Sequence, residues 1–138
     1  MKLKTSAAVS GSLLLVICIV LAACEHQTPM TAPPVQLQPT LSSIQANIFT
    51  PKCVNAGCHP GGNAPMSLAN GQSFGMLVNQ ASAYNRPRVA PGNANNSALY
   101  LKVSGTTLGA RMPTVGQPLS AAEVSTIQTW INNGAQNN

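Results

Sequence analysis

Cys53-Val54-Asn55-Ala56-Gly57-Cys58-His59 is the stretch on which the fold of this 138-residue chain turns. It sets two thiols with four residues between them and places an imidazole directly after the second. Three chemistries use such a set. In c-type haem attachment each thiol adds across one vinyl group of the macrocycle, and the adjoining His offers a neutral imidazole nitrogen to the iron. The usual spacing there is two residues, not four. In an exported protein, two cysteines default to a disulfide. A zinc centre wants four ligands, so Cys53, Cys58 and His59 would need His26 to complete it. Residues five apart on a regular helix do not share a face. For both thiols to reach one ring the segment must therefore bulge, and Gly57 can adopt the backbone angles a bulge needs.

Outward from this motif the chain reads as short helices and long loops. On the N-terminal side Thr40 is a fair N-cap, and Leu41, Ile44 and Ile48 recur at spacings of three and four as one apolar stripe that Pro51 ends. On the C-terminal side, residues 52–70 are rich in Gly, Pro and Asn and read as loop. Residues 73–81 suit a short helix carrying Phe74, Met76, Leu77 and Val78, and 85–96 is loop again. Residues 97–103 read as a helix with Leu99, Tyr100 and Val103 inward, stopped near Gly105. A further loop carries Arg111-Met112-Pro113. The last helix has the strongest signals: Ser120 and Glu123 form a capping box, Val124, Ile127 and Ile131 make a stripe beside Trp130, and Gly134 stands at the C-cap. No segment of strand period rivals these. The expected class is all-α, with three to four short helices.

Such a chain is short of core. Its five aromatic residues are Phe49, Phe74, Tyr84, Tyr100 and Trp130, and long structureless loops count against a compact domain that stands alone. Domains this small often need a staple. A buried macrocycle would give the loops something to wrap and replace missing apolar surface. A low-spin electron-transfer haem usually takes a second protein ligand, often Met. Of the candidates, Met30 lies in a Pro-rich segment and Met66 is close enough to His59 to fall on the same side of a ring. Met76 fits the apolar side of a short helix, where packing is the usual role. Met112 sits in an irregular loop just before the last helix, where backbone can hold it over an iron. Met112 is the favoured axial ligand; Met76, or no second ligand, stays open.

The N-terminus has a separate logic. Lys2 and Lys4 precede an apolar block at residues 13–23 that is about half the length a spanning helix needs. A basic start, an apolar stretch and small residues before a cut describe a secretory signal. Leu21-Ala22-Ala23-Cys24 resembles the lipobox of bacterial lipoproteins. That resemblance implies cleavage before Cys24 and acylation of its sulfur, with enough acyl chain for stable anchoring. Glu25, rather than Asp, follows, which favours the outer membrane. Cys18 leaves with the signal, so only Cys53 and Cys58 serve the folded part. The expected organisation is a signal at 1–23, a Pro-rich tether at 24–40 spanning tens of ångströms at roughly 3 Å per residue, and a domain at 41–138. The mature chain keeps five basic side chains, Lys52, Arg86, Arg88, Lys102 and Arg111, against Glu25 and Glu123, a net of about +3. There is no basic run with interleaved aromatics of the kind that binds single-stranded nucleic acid. A mild positive face could dock an acidic redox partner.

Residues 41–135 resemble a bacterial class I cytochrome c domain. The resemblance rests on Ile48-Phe49, on Cys53…Cys58-His59, and on Val89-Ala90-Pro91-Gly92 leading into Ser97-Ala98-Leu99-Tyr100. It continues through Arg111-Met112-Pro113…Pro118-Leu119-Ser120 and Ile127…Trp130-Ile131…Gly134-Ala135. The wider cysteine spacing is a departure from the standard pattern. The resemblance implies one covalent haem c held by Cys53 and Cys58, with His59 and Met112 as axial ligands of the iron. It implies that the first and last helices pack together, Ile44 and Ile48 against Ile127, Trp130 and Ile131. It implies a proline carbonyl, here Pro65, accepting the imidazole N–H, and Arg111 beside a haem propionate. The implied function is single-electron transfer to redox partner proteins at a periplasmic membrane surface, without catalysis by the chain itself. Two other classes are a haem-based small-ligand sensor or haem enzyme subunit, and a haem-free, disulfide-closed structural lipoprotein.

Overall fold

The computed structural model describes residues 36–60, 66–105 and 107–138. The expected signal segment, Cys24, His26 and Met30 lie outside these residues. Helix α1, Leu41–Ile44, starts where Thr40 accepts the Ser43 N–H on its Oγ1 at 3.2 Å. Its first free N–H groups, on Leu41 and Ser42, donate to the Oδ1 and main-chain oxygen of Asn138 at 2.9 and 2.8 Å. The far end of the chain thus caps the beginning of the first helix, satisfying donors that a helix start leaves orphaned.

The helix does not end at Pro51 as expected. It continues without a break as a π-helix, Gln45–Val54, with Pro51 inside it. A π-helix bonds each N–H to the fifth residue back, so a proline costs it one bond without stopping it. Ile44, Ile48 and Phe49 are all but fully buried along this rod. Gln45, buried at the junction, is a polar hub. Its Nε2 donates to Thr50 Oγ1 at 3.0 Å and to the Leu68 carbonyl at 2.9 Å, and its Oε1 accepts the Ser73 hydroxyl at 2.6 Å. It thereby joins the first helix, the loop after His59 and the next helix.

Helix α2, Ser73–Leu77, is shorter than the pattern at 73–81 suggests. Val78 turns extended and pairs with the distant Val89, and Asn79 takes a positive φ of 57°. Met76 is 41% exposed instead of packing inward. A single 3₁₀ turn, Ala94–Asn96, is capped by the Asn93 side chain. Helix α3, Ala98–Ser104, follows the buried Ser97, whose Oγ accepts from Ala90 N–H and donates to the Asn93 carbonyl, both at 2.8 Å. Gly105, at φ 119°, ends it. Helix α4, Ala121–Asn132, begins on the full capping box of Ser120 and Glu123. Among the described residues there are helices, turns and two isolated bridges, with no strand; the domain is helical.

The core is one cluster in which Ile44, Ile48 and Phe49 join Ile127, Trp130 and Ile131. Helices α1 and α3 both pack on α4. The loop between α2 and α3 is pinned to the end of α4 by Gly92 N–H to the Ile131 carbonyl at 2.8 Å and Ala94 N–H to Asn132 Oδ1 at 3.0 Å. No helix among the described residues is long and apolar enough to cross a membrane.

Candidate functional site

The end of the π-helix delivers Cys53, and the bulge that follows is closed by main-chain bonds. Asn55 N–H reaches Thr50 O at 2.9 Å, Gly57 N–H reaches Val54 O at 2.8 Å, and His59 N–H reaches back to Cys53 O at 2.9 Å. Gly57 has φ 78°, the left-handed conformation that favours glycine. The four-residue spacing is thus taken up in a closed turn that returns His59 to the level of Cys53. Beyond it, Leu68 N–H donates to the His59 carbonyl at 2.8 Å.

The His59 Nδ1 lies 3.4 Å from the Met66 carbonyl. A carbonyl only accepts, so any bond here is one that Nδ1–H donates, the tautomer that leaves the Nε2 lone pair for a metal. The expected partner, Pro65, lies outside the described residues; the carbonyl seen at this place is its neighbour's.

Met112 comes from the loop between α3 and α4, and the structure shows what holds that loop. Met112 N–H donates to the Lys102 carbonyl at 2.8 Å. The Lys102 ammonium donates to the carbonyls of Leu108 and Ala110 at 3.1 and 2.7 Å, and stands 5.3 Å from the centre of the Tyr84 ring. Arg111 donates through Nε to Val103 O at 3.0 Å and through Nη2 to Leu119 O at 3.1 Å. Arg111, expected beside a propionate, therefore braces the Met112 loop between the end of α3 and the approach to α4. Its side chain also fills the space over Gly105, where an added Cβ would come within 3.0 Å of Arg111 Cδ.

These pieces meet at one open cavity of about 200 Å³. Cys53, Cys58 and His59 lie on its wall together with Met66 and Met112. Much of the remaining wall is apolar, with Phe49, Leu68, Leu77, Leu99, Val103 and Leu119 prominent, and Tyr84 stands at it half-exposed. Cys53 and Cys58 are free thiols, partly buried and unjoined. Burial above all, then the neighbouring Cys58 and the Glu123 carboxylate, push the Cys53 thiol up to about 11, against a smaller opposing pull from Lys52. It is therefore a neutral thiol at physiological pH. Among the described residues no three His, Cys, Asp or Glu side chains gather as a metal centre would need.

An ion pair that the sequence does not announce ties this site to the last helix. Lys52, next to Cys53, holds Glu123 with Nζ 2.6 Å from Oε1 and 2.7 Å from Oε2. Oε2 also accepts the Ser120 N–H at 2.8 Å. Burial by itself would raise the Glu123 carboxyl, but Lys52 and the Ser120 bonds outweigh it and hold the group below the usual carboxylate range. A carboxyl whose folded value is depressed stabilises the fold fully above its unfolded value, and that contribution is lost as pH falls through the folded value. Glu123→Gln is expected to cost about 1–2 kcal/mol at neutral pH. It should also flatten the fall in stability of the wild type below the ordinary carboxylate range. Urea unfolding at a series of pH values checks this; parallel pH profiles for the two proteins would contradict it. Compared with family models, curated proteins and solved structures, the chain matches none of them.

Proposed function

We propose that this chain is a monohaem c-type cytochrome of the class I fold, a single-electron carrier held at a bacterial membrane surface by acylated Cys24. The observation that carries this is the joint placement of Cys53, Cys58, His59 and Met112, from two distant stretches of the chain, on the wall of one mostly apolar cavity. The residues fit the group: two unjoined thiols, an imidazole whose Nδ1 faces a carbonyl and whose Nε2 is left for a metal, and a thioether from a braced loop.

When bound, haem supplies an iron that passes between ferrous and ferric states. The chain's part is to hold it. Each thiol would add across one vinyl group, forming a carbon–sulfur bond while the thiol hydrogen goes to the neighbouring carbon. His59 would offer Nε2 to the iron, with its ring held by the Met66 carbonyl, a bond that also makes the imidazole a better donor. Met112 would offer its sulfur, a ligand that raises the reduction potential. The apolar wall would keep water from the metal. With His59 and Met112 both engaged, no position would be left for a substrate, and the chain would carry electrons rather than catalyse. Arg88 and Lys102 on the cavity wall suit an acidic redox partner protein; the sequence has no basic run with interleaved aromatics for single-stranded nucleic acid. A periplasmic, outer-membrane location goes with this reading, supported by the lipobox-like Leu21-Ala22-Ala23-Cys24 and the Glu25 that follows it.

Redox titration of the purified full chain, produced with a haem-maturation system, tests this. One electron per protein should enter and leave reversibly. A colourless protein that takes none, or a coloured one that turns over peroxide, would move the function elsewhere.

A further inference from the structure

The wide winding of Gln45–Val54 has a consequence for the thiol at its end. In an α-helix continuing from α1 the buried stripe would pass through positions 41, 45, 48 and 52, the three- and four-residue spacing of that helix. With more than four residues in each turn, the stripe slides by one: the residue brought round after Ile44, Ile48 and Phe49 is Cys53. Buried Gln45, Ile48 and Phe49 fit either winding; the half-buried Cys53, on the cavity wall, fits the wider one. Lys52, displaced from the stripe's centre, reaches Glu123.

The only proline in this rod is Pro51. In α geometry its ring would strike the carbonyl of the fourth residue back, Asn47, and it has no N–H to offer that carbonyl. Winding wider relieves the clash without ending the helix. We propose that Pro51 is the positioning residue of the attachment site: it sets the register that turns Cys53 to the cavity and Lys52 to Glu123. This rests on the haem reading for its purpose but not for its geometry. The four-residue cysteine spacing and the proline two residues before Cys53 then belong to one device.

The test measures iodoacetamide alkylation of Cys53 and Cys58 separately, by peptide mass, in the full reduced chain without haem. Pro51→Ala restores the N–H and removes the clash, so the segment winds as α-helix. Cys53 leaves the cavity wall and should react about tenfold faster as its burial is relieved, while Cys58 keeps its rate. Pro51→Ala with deletion of the exposed Ala46 moves Cys53 one place back onto the α-helical stripe, and its slow rate should return. An unchanged Cys53 rate in Pro51→Ala overturns the proposal. If both cysteines speed up together because the single variant unfolds, the compensated variant decides: recovery of both slow rates supports the proposal, and a fast Cys53 overturns it. Intact mass of the wild type, produced with haem maturation, is read in parallel. Absence of haem there defeats the cytochrome reading and leaves the alkylation rates to judge the register.

Discussion

Met112→Ala should turn the ferric protein from low-spin to high-spin, open the iron to azide and carbon monoxide, and lower its reduction potential, all without releasing the haem. In the proposed cytochrome, covalent attachment would rest on Cys53 and Cys58 and not on Met112, so the colour would stay with the protein. What would go is the Met112 sulfur and the rise in potential that Met ligation confers. Two methionines lie on the cavity wall, which makes the comparison decisive. Met66 has its carbonyl against His59 Nδ1 at 3.4 Å, so its backbone belongs to the His59 wall. Met112 hangs from a separate loop, fixed by its own N–H and by the side chains of Lys102 and Arg111. Met66→Ala should therefore keep the low-spin spectrum. A Met112→Ala protein with an unchanged ferric spectrum, or a Met66→Ala protein that turns high-spin, would reassign the ligand.

Trp130→Ala should be the most damaging single truncation in the core. Trp130 is 1% exposed and lies in the cluster that joins the first helix to the last. Its indole N–H donates to the Gln136 carbonyl at 2.8 Å, holding the C-terminal turn against α4. The same turn leads to Asn138, which caps α1, so the loss spreads to the start of the fold. Removing a buried tryptophan costs about 3–5 kcal/mol, against a total of about 5–15 kcal/mol for a domain. For a domain of this size the melting temperature should drop by on the order of 15 °C. Trp130→Phe keeps most of the volume and gives up the hydrogen bond, at about 1–2 kcal/mol. Thermal unfolding followed by circular dichroism measures both. Equal losses for the two variants would mean that the hydrogen bond, not the packing, is what matters.

What could be read from the sequence was what is local. Thr40 as a cap, the Ser120–Glu123 box and the Ile127–Ile131 stripe depend on residues a turn or less apart, and all three stand in the structure. Gly57 with its positive φ follows from the same local reasoning. The end of α2 could not be read, because Val78 leaves the helix to pair with Val89, far along the chain. The helix running through Pro51 escaped for a different reason: proline is a stop signal for α-helices, and nothing in a spacing rule allows for a wider helix that tolerates it. For the site, the sequence supplied the candidate residues Cys53, Cys58, His59 and Met112, but not their common wall, which needs the loop after α3 to fold back. Lys102 and Arg111 owe their roles to main-chain carbonyls that only the folded loop presents. The Lys52–Glu123 pair and the Gln45 hub likewise join segments whose nearness is tertiary.

The proposed cytochrome would carry a covalent haem on Cys53 and Cys58, with His59 and Met112 as the ligands of its iron. The absorption spectrum of the full chain, produced with a haem-maturation system and read oxidised and then reduced, tests it together with the intact mass. The expected result is a sharp reduced α-band at the c-type position, a weak sulfur-to-iron band in the oxidised form, and a mass gain of one haem. A colourless protein lighter by two hydrogens than its free-thiol form would contradict it, and would make Cys53 and Cys58 a disulfide.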